Sequence, residues 1–372
     1  AFIDVTGVAL NTVTVSNPIT VGGITAPAAI SIVDGEYDLN LSNTWVTSAG
    51  TVANTNTVRV RHTSSAVNST AVNTTLTIGG VSDTFTSTTM DDTTPGPFLF
   101  TDVTGVPLNT LQTSNSITVY GITGPTAISI VGGTYEVNGV GGFVSSPGTV
   151  VNGNTVKVQH TSAATNSTAV DTTLTIGSIS DTFTSTTLDD TTPDSFIFTD
   201  VIDVALNTIQ NSNGFTVSGI TGPTAISIIG GDYELNNTGT WVNSAGTVVN
   251  GAFVRVRHVS AIGYSTAVNT TLTIGGISDT FTSTTLADTI PDSFAFIDVT
   301  GVALSTVQTS NTITVTGIAA PAAISIVGGE YEVNGSGTWV TIAGTVANTN
   351  TVKVRHTSSG TNSTAVNTTL TI

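Results

Sequence analysis

The chain of 372 residues is one segment written almost four times, in a register that never slips. Asp4, Asp102, Asp200 and Asp298 stand 98 residues apart, as do His62, His160, His258 and His356, and Tyr37, Tyr135, Tyr233 and Tyr331. A period of that size is too long for a solenoid unit of about 20–50 residues and suits a small domain that closes its own core. Separate beads are therefore expected, at residues 1–97, 98–195, 196–293 and 294–372. The last copy stops at Leu370-Thr371-Ile372, where the earlier ones continue through Gly79-Gly80 into Val81-Ser82-Asp83-Thr84-Phe85 and its equivalents. It is one strand and a linker short. Two readings stay open: the strand lies further along a longer array, or a neighbouring subunit supplies it. Chains organised around copy number work by reach or by many weak contacts more often than through one reactive centre.

Composition narrows the partners. With 7 Lys plus Arg against 24 Asp plus Glu, the net charge is −17, and a polyanion would be repelled, so no nucleic acid is expected. No apolar run reaches the ~18 residues of a spanning helix, so no membrane insertion is expected within this segment. Cysteine is absent, which excludes disulfides and thiolate metal sites. Abundant Val, Ile and Thr supply core and strand propensity, unlike a disordered acidic tail.

Within a copy the periodicity is two. Ile19-Thr20-Val21, Ala29-Ile30-Ser31-Ile32, Thr57-Val58-Arg59-Val60-Arg61 and Thr75-Leu76-Thr77-Ile78 alternate apolar with polar, as strands buried on one face do. Turn signals separate them at Asp34-Gly35, Ala49-Gly50 and Gly79-Gly80, the last predicting a tight hairpin of the primed type. Roughly seven to nine short strands per copy at this turn spacing predict a β-sandwich. Between copies, Asp92-Thr93-Thr94-Pro95, Asp190-Thr191-Thr192-Pro193 and Asp288-Thr289-Ile290-Pro291 read as short, stiff, acidic linkers.

The charges follow a pattern. All seven cations, Arg59, Arg61, Lys157, Arg255, Arg257, Lys353 and Arg355, occupy alternating positions of one strand in their copies. Glu36 and Asp38, either side of Tyr37, alternate likewise on an earlier strand. Where the second copy has Thr134 for the first acid it also has Gln159 for the second cation. That joint change predicts Glu36 opposite Arg61 and Asp38 opposite Arg59 across an antiparallel pair, as exposed ion pairs that set register. The four histidines share the parity of Val58 and Val60 and are expected at the sandwich rim, one per bead, their rings capping a loop carbonyl. One histidine without cysteine makes no zinc site, and no serine among many is marked out as a nucleophile. Junction acids Asp91, Asp92 and Asp102, then Asp189, Asp190, Asp194 and Asp200, then Asp288, Asp292 and Asp298 offer oxygens for calcium, but without an Asp-x-Asp-x-Asp-Gly loop they read first as solvated linkers. Asp83 shares the parity of Phe85, which leaves open whether a bulge turns it outward.

The run Asp190-Thr191-Thr192-Pro193-Asp194-Ser195-Phe196, with Phe198-Thr199-Asp200-Val201, Ser310-Asn311-Thr312-Ile313-Thr314-Val315 and Gly344 to Val352, resembles the tandem bacterial immunoglobulin-like repeats of large surface and secreted proteins. The resemblance spans the chain. It implies an all-β protein of four tandem immunoglobulin-like β-sandwich domains forming an elongated rod, extracellular at a cell surface or secreted. The role it implies is a non-enzymatic structural stalk or filament component, with an adhesive module engaging glycans or other cells as the alternative. Expected partners are other copies of itself or further repeats of the same chain; no catalytic residue, cofactor or metal ligand set is expected. Antibody-type marks are absent, since there is no cysteine pair and Trp45, Trp241 and Trp339 give way to Phe143 in the second copy.

Overall fold

A computed structural model describes all residues, 1–372, and builds them from strands and turns with no helix. The first copy forms β1 (Val5–Val8), β2 (Val13–Val15), β3 (Ile19–Thr20), β4 (Ala28–Val33), β5 (Glu36–Leu39), β6 (Trp45–Val46), β7 (Gly50–Val52), β8 (Thr57–Thr63), β9 (Ala71–Ile78) and β10 (Val81–Thr89). That is more than the periodicity predicts, because a piece such as β6 is two residues long and alternation cannot be read over two residues.

Two sheets result. One has the order β1-β10-β9-β4-β7, and the other β2-β8-β5-β6 with β3 also on β8. Strands β9 and β10 form an antiparallel hairpin in unbroken register from Val81↔Ile78 to Thr88↔Ala71. Its turn is Gly79 (φ 59°) and Gly80 (φ 88°), both in the left-handed region that primed hairpin turns require. By contrast β1 runs parallel to β10, with a register shift between Thr6 and Val8. Its hydrogen-bonding neighbour is β10 alone.

Alternation decides what faces inward. On β8, Val58, Val60 and His62 are buried while Arg59 and Arg61 lie on the outer face. Across the sandwich they meet Leu76 and the fully buried Phe85. Tyr37 enters the same core from β5 and donates its hydroxyl to the carbonyl of Ser48 at 3.0 Å. A Cβ at position 50 would lie 2.8 Å from that hydroxyl, which is why a glycine stands there and at Gly148, Gly246 and Gly344.

Each copy repeats the plan around its own hydrophobic cluster, the later three containing Phe183, Phe281 and Ile324 respectively. The chain is thus a tandem of four all-β immunoglobulin-like sandwiches. By contacts it divides into two compact units, Ala1–Leu188 and Asp189–Ile372, each with two sandwiches.

Candidate functional site

Three constellations carry chemistry: the charged outer strand and the histidine, which recur in every repeat, and the junction peptide that precedes repeats two to four. The register on the outer face is Glu36↔Arg61, Tyr37↔Val60 and Asp38↔Arg59, the pairing that the joint change in the second copy predicts. There Thr134 faces Gln159 and Glu136 faces Lys157. None of the five ion pairs of the chain falls in that repeat. In repeat three Arg255 and Arg257 reach Glu234 and Asp232 in the same way.

The two pairs of a repeat differ, and here the expectation of exposed ion pairs needs correction. Glu36 is partly exposed, but the Asp38 side chain is 0% exposed, as is that of Glu234. A roof of long side chains covers the inner acid: Arg59 pairs with Asp38 at 2.9 Å, and the guanidinium carbons of Arg59 and Arg61 stand 5.1 and 4.4 Å from the Trp45 ring centroid. Trp241 receives Arg255 and Arg257 at 5.2 and 4.3 Å. Covering a carboxylate costs solvation unless its lone pairs are used. Ser42 donates to Asp38 at 2.7 Å, and Gly239 N–H donates to Glu234. Desolvation pushes the Asp38 carboxyl up, but the bonds from Ser42, Arg59 and the Asn43 backbone, with the Arg59 charge, outweigh it and hold its pKa below the ordinary value. For Glu234 the Arg255 hydrogen bond leads in holding the carboxyl low.

His62 is 7% exposed and sits between the sheets, where a rim position is predicted. Its ring lies on Phe85 at 5.1 Å and joins two hydroxyls of the opposite sheet: Nδ1 to Thr74 Oγ1 at 2.7 Å and Nε2 to Ser87 Oγ at 2.6 Å. No loop carbonyl is capped directly. Thr74 instead donates its proton to the carbonyl of Asp34 at 2.6 Å, so its oxygen accepts from Nδ1–H. In the neutral ring Nε2 then accepts the Ser87 proton. Repeats two and three reproduce the relay with His160, Thr172 and Ser185 and with His258, Thr270 and Ser283. Burial lowers the pKa of all three rings, with the Asp171 charge partly offsetting it at His160.

A serine at 2.6 Å from an imidazole has the spacing of a nucleophile and its base. The sequence offers no reason to choose Ser87, yet its inward parity with Phe85, repeated at Ser185 and Ser283, is a usable signal. Its surroundings give it another task. Ser87 is fully buried, the third member is a threonine hydroxyl where an acid would orient the ring, and the three groups together strap β8 to β9 and β10.

The junction acids do not converge, and no group of three or more potential ligands forms. Asp92, Asp190 and Asp288 each accept the backbone N–H two residues on, at 2.9 Å, which shapes the turn before the proline. Asp102 and Asp200, like Asp4, accept the N–H of Thr184, Thr282 and Thr86 and so fasten the first strand to the last. Asp83 settles the question of its parity: the strand is unbulged, and the inward carboxylate accepts Phe2 N–H at 2.5 Å.

Linkers are equally engaged. Asp92 N–H donates to Thr123 Oγ1 at 2.7 Å, Thr123 N–H returns to the Asp92 carbonyl at 2.9 Å, and Gly96 N–H meets the Tyr120 carbonyl at 2.8 Å. Residues 190–194 repeat this on Thr221 and Ser218, and residues 288–292 on Ala319 and Thr316. These peptides belong to the repeat they precede.

No family model matches the sequence, and no curated protein matches it. Among solved structures it is similar to a three-domain I-band fragment of titin, at 10% identity over 76% of this chain and 94% of that one, with a TM-score of 0.33. A four-domain ectodomain fragment of ICAM-5 matches at 12% identity over 92% and 89%, TM-score 0.29. An endo-fucoidan hydrolase of glycoside hydrolase family 107 matches at 9% over 75% of this chain and 43% of that one, TM-score 0.19.

Proposed function

We propose that this chain is a non-enzymatic, extracellular structural protein, a stalk or filament component of a bacterial cell surface. The observation that carries the reading is that each repeat has its own hydrophobic core, while its chemistry-bearing side chains are spent on holding it together. The imidazole straps two sheets in repeats one to three, the inner carboxylate is roofed and paired in repeats one and three, and the junction acids shape turns. In such an array the mechanism is mechanical: cores resist unfolding one by one, and linkers hydrogen-bonded into the following repeat limit bending. Stretching single molecules of the whole chain tests this. A series of separate unfolding events is expected; one cooperative rupture would remove it. Labelling of intact producing cells, with and without protease shaving, tests the surface location.

A second reading is adhesive, with other copies of the chain or cell-surface glycans as the partner, and one observation favours it. The same two positions carry exposed aliphatic side chains in every repeat: Val13, Leu111, Ile209 and Val307 at 58–63% exposure, and Val33, Val131, Ile229 and Val327 at 60–78%. Repeated weak apolar contacts gain strength with copy number. Binding that climbs with the number of repeats displayed would favour this reading over the stalk.

A further inference from the structure

Repeat three departs from the other copies at one place and in one direction. Val259 stands where the others have Thr63, Thr161 and Thr357, Ile262 where they have Ala66, Ala164 and Gly360, and Tyr264 where they have Asn68, Asn166 and Asn362. All three are solvent-exposed, and Ile262, at 85%, is the most exposed large hydrophobic side chain of the protein. They come together at one end of the outer face of a sheet. Val259, on the strand Phe253–Val259, lies directly across from Ile209, itself exposed, on the edge strand Ile209–Asn211. Beyond them Asn207 N–H donates to the Ala261 carbonyl at 3.0 Å, which holds the loop of Ile262 against the start of that edge strand. Single exposed aliphatics are ordinary on a protein surface, but a cluster that replaces polar and small residues in one copy of four marks a contact surface.

A hollow of about 270 Å³ opens beside this cluster. Val259 and Arg257 form its floor on the central strand, Ile209 one wall, and Gly230, Gly231 and Asp232 the other. The glycine wall stays bare backbone, because a Cβ at either position would run into the carbonyl oxygen of Asn269 or Arg257. Repeat three therefore carries a hole with aliphatic sides and, on the adjoining loop, an aliphatic knob. We propose that this surface pairs two copies of the chain about a two-fold axis, Ile262 of each entering the hollow of the other. Charge selects the same partner. With 24 acids against 7 bases, two copies repel over most of their surface, whereas here Arg257 and Asp232 balance, 3.1 Å apart and 29 and 34% exposed. A two-fold axis between the copies brings each of these side chains to its opposite number, and a strongly basic or acidic partner would find no excess charge to meet. The pairing deepens the reading in which other copies of the chain are the partner, and it rests on that reading.

The test is the mass of the full chain in solution, measured by sedimentation over a wide range of concentration. A concentration-dependent rise from monomer to dimer is expected. Val259→Thr, Ile262→Ala and Tyr264→Asn made together restore residues that other repeats carry at these positions, so the fold is kept, and dimerisation should weaken at least about tenfold. Disulfide trapping reads the position. Because the chain has no cysteine, Ile209→Cys chains mixed with Ile262→Cys chains should form the mixed disulfide in preference to either homodimer. Dimerisation unchanged by the triple reversion, or no preference for the mixed disulfide, would overturn the proposal. Self-association that survives the reversion but is lost when Val33, Val131, Ile229 and Val327 are changed to threonine would overturn this surface and leave other copies as the partner. A monomer at every concentration would remove both.

Discussion

Val5-Thr6-Gly7-Val8 and Val299-Thr300-Gly301-Val302 are the same four residues, and only the first pair up as a strand. The eight residues Ala71–Ile78 recur unchanged as Ala365–Ile372, yet there only Thr369–Thr371 is a strand. What separates repeat one from repeat four is β10. In the first repeat it pairs with β1 on one side and β9 on the other. Residues 1–372 hold no counterpart of β10 for repeat four, and within them residues 299–302 form no strand while only Thr369–Thr371 of the later segment pairs, against Val327, Ile326 and Ser325. Effects reach the core: Phe296 is partly exposed where Phe100 and Phe198 are buried, and His356 keeps Thr368 at 2.7 Å with no serine on its other nitrogen. A groove of about 540 Å³ runs beside it, lined by Phe296, Val354 and His356 among others. Strand identity is thus a property of the pair, and the last strand organises three elements at once.

Supplying repeat four with an equivalent of β10 should have the largest effect. Adding residues 275–285 after Ile372 should convert Val299–Val302 and Ala365–Thr368 into protected strands and raise the stability of repeat four by at least ~3 kcal/mol, the order of burying one phenylalanine with its neighbours. Amide hydrogen exchange checks it; unchanged exchange at Val299–Val302 would mean β1 fails for a reason of its own. The reverse experiment is Phe85→Ala, which empties the centre of the first core and should cost about 3–5 kcal/mol, loosening β1 together with β10.

Next in size is the strap. Ser87→Ala leaves Nε2 of His62 without its partner and should destabilise repeat one by about 1–3 kcal/mol, while Thr89→Ser, beside it, serves as a mild control. Acidification tests the same relay. Each of His62, His160 and His258 has a folded pKa below the ordinary ~6.5, so the unfolded state binds more protons as pH falls through that value. Their contribution is therefore full above pH ~6.5 and is lost as pH drops from there towards the folded pKa values. Urea titrations between neutral and mildly acid pH should show repeats one to three weakening. The lowered carboxyls of Asp38 and Glu234 act later: their contribution is present above the ordinary ~4 and disappears as pH falls below it.

The smallest effect belongs to the partly exposed outer pair. A double-mutant cycle on Glu36 and Arg61 should give a coupling of about 0.2–1 kcal/mol, because both groups remain solvated. Asp38 with Arg59 should couple more strongly. Equal coupling for the two pairs would show that the roof of Trp45 and arginines does not exclude water.

Much of this was legible in the residues. The period, the bead count and the inward parity of Val58, Val60 and His62 follow from spacing alone, because side-chain direction in a strand alternates without exception until a bulge intervenes. The Glu36↔Arg61 register was readable through Thr134 and Gln159, two departures that make sense only as neighbours. Less could be read of depth. Parity places His62 on the inner face but says nothing of how far from the edge it lies, and Asp38 shows in sequence the same alternation as Glu36 although one is roofed and the other open.

Residues close in the chain, or repeated along it, set the unit, its strands and which strand face is apolar. Tertiary structure alone decided that Thr74 and Ser87 converge on His62, that the proline peptides serve as lids of the repeats they precede, and that identical residues pair in repeat one and not in repeat four. Each of these is a contact between segments far apart along the chain, and their meeting depends on which sheet edge is already filled.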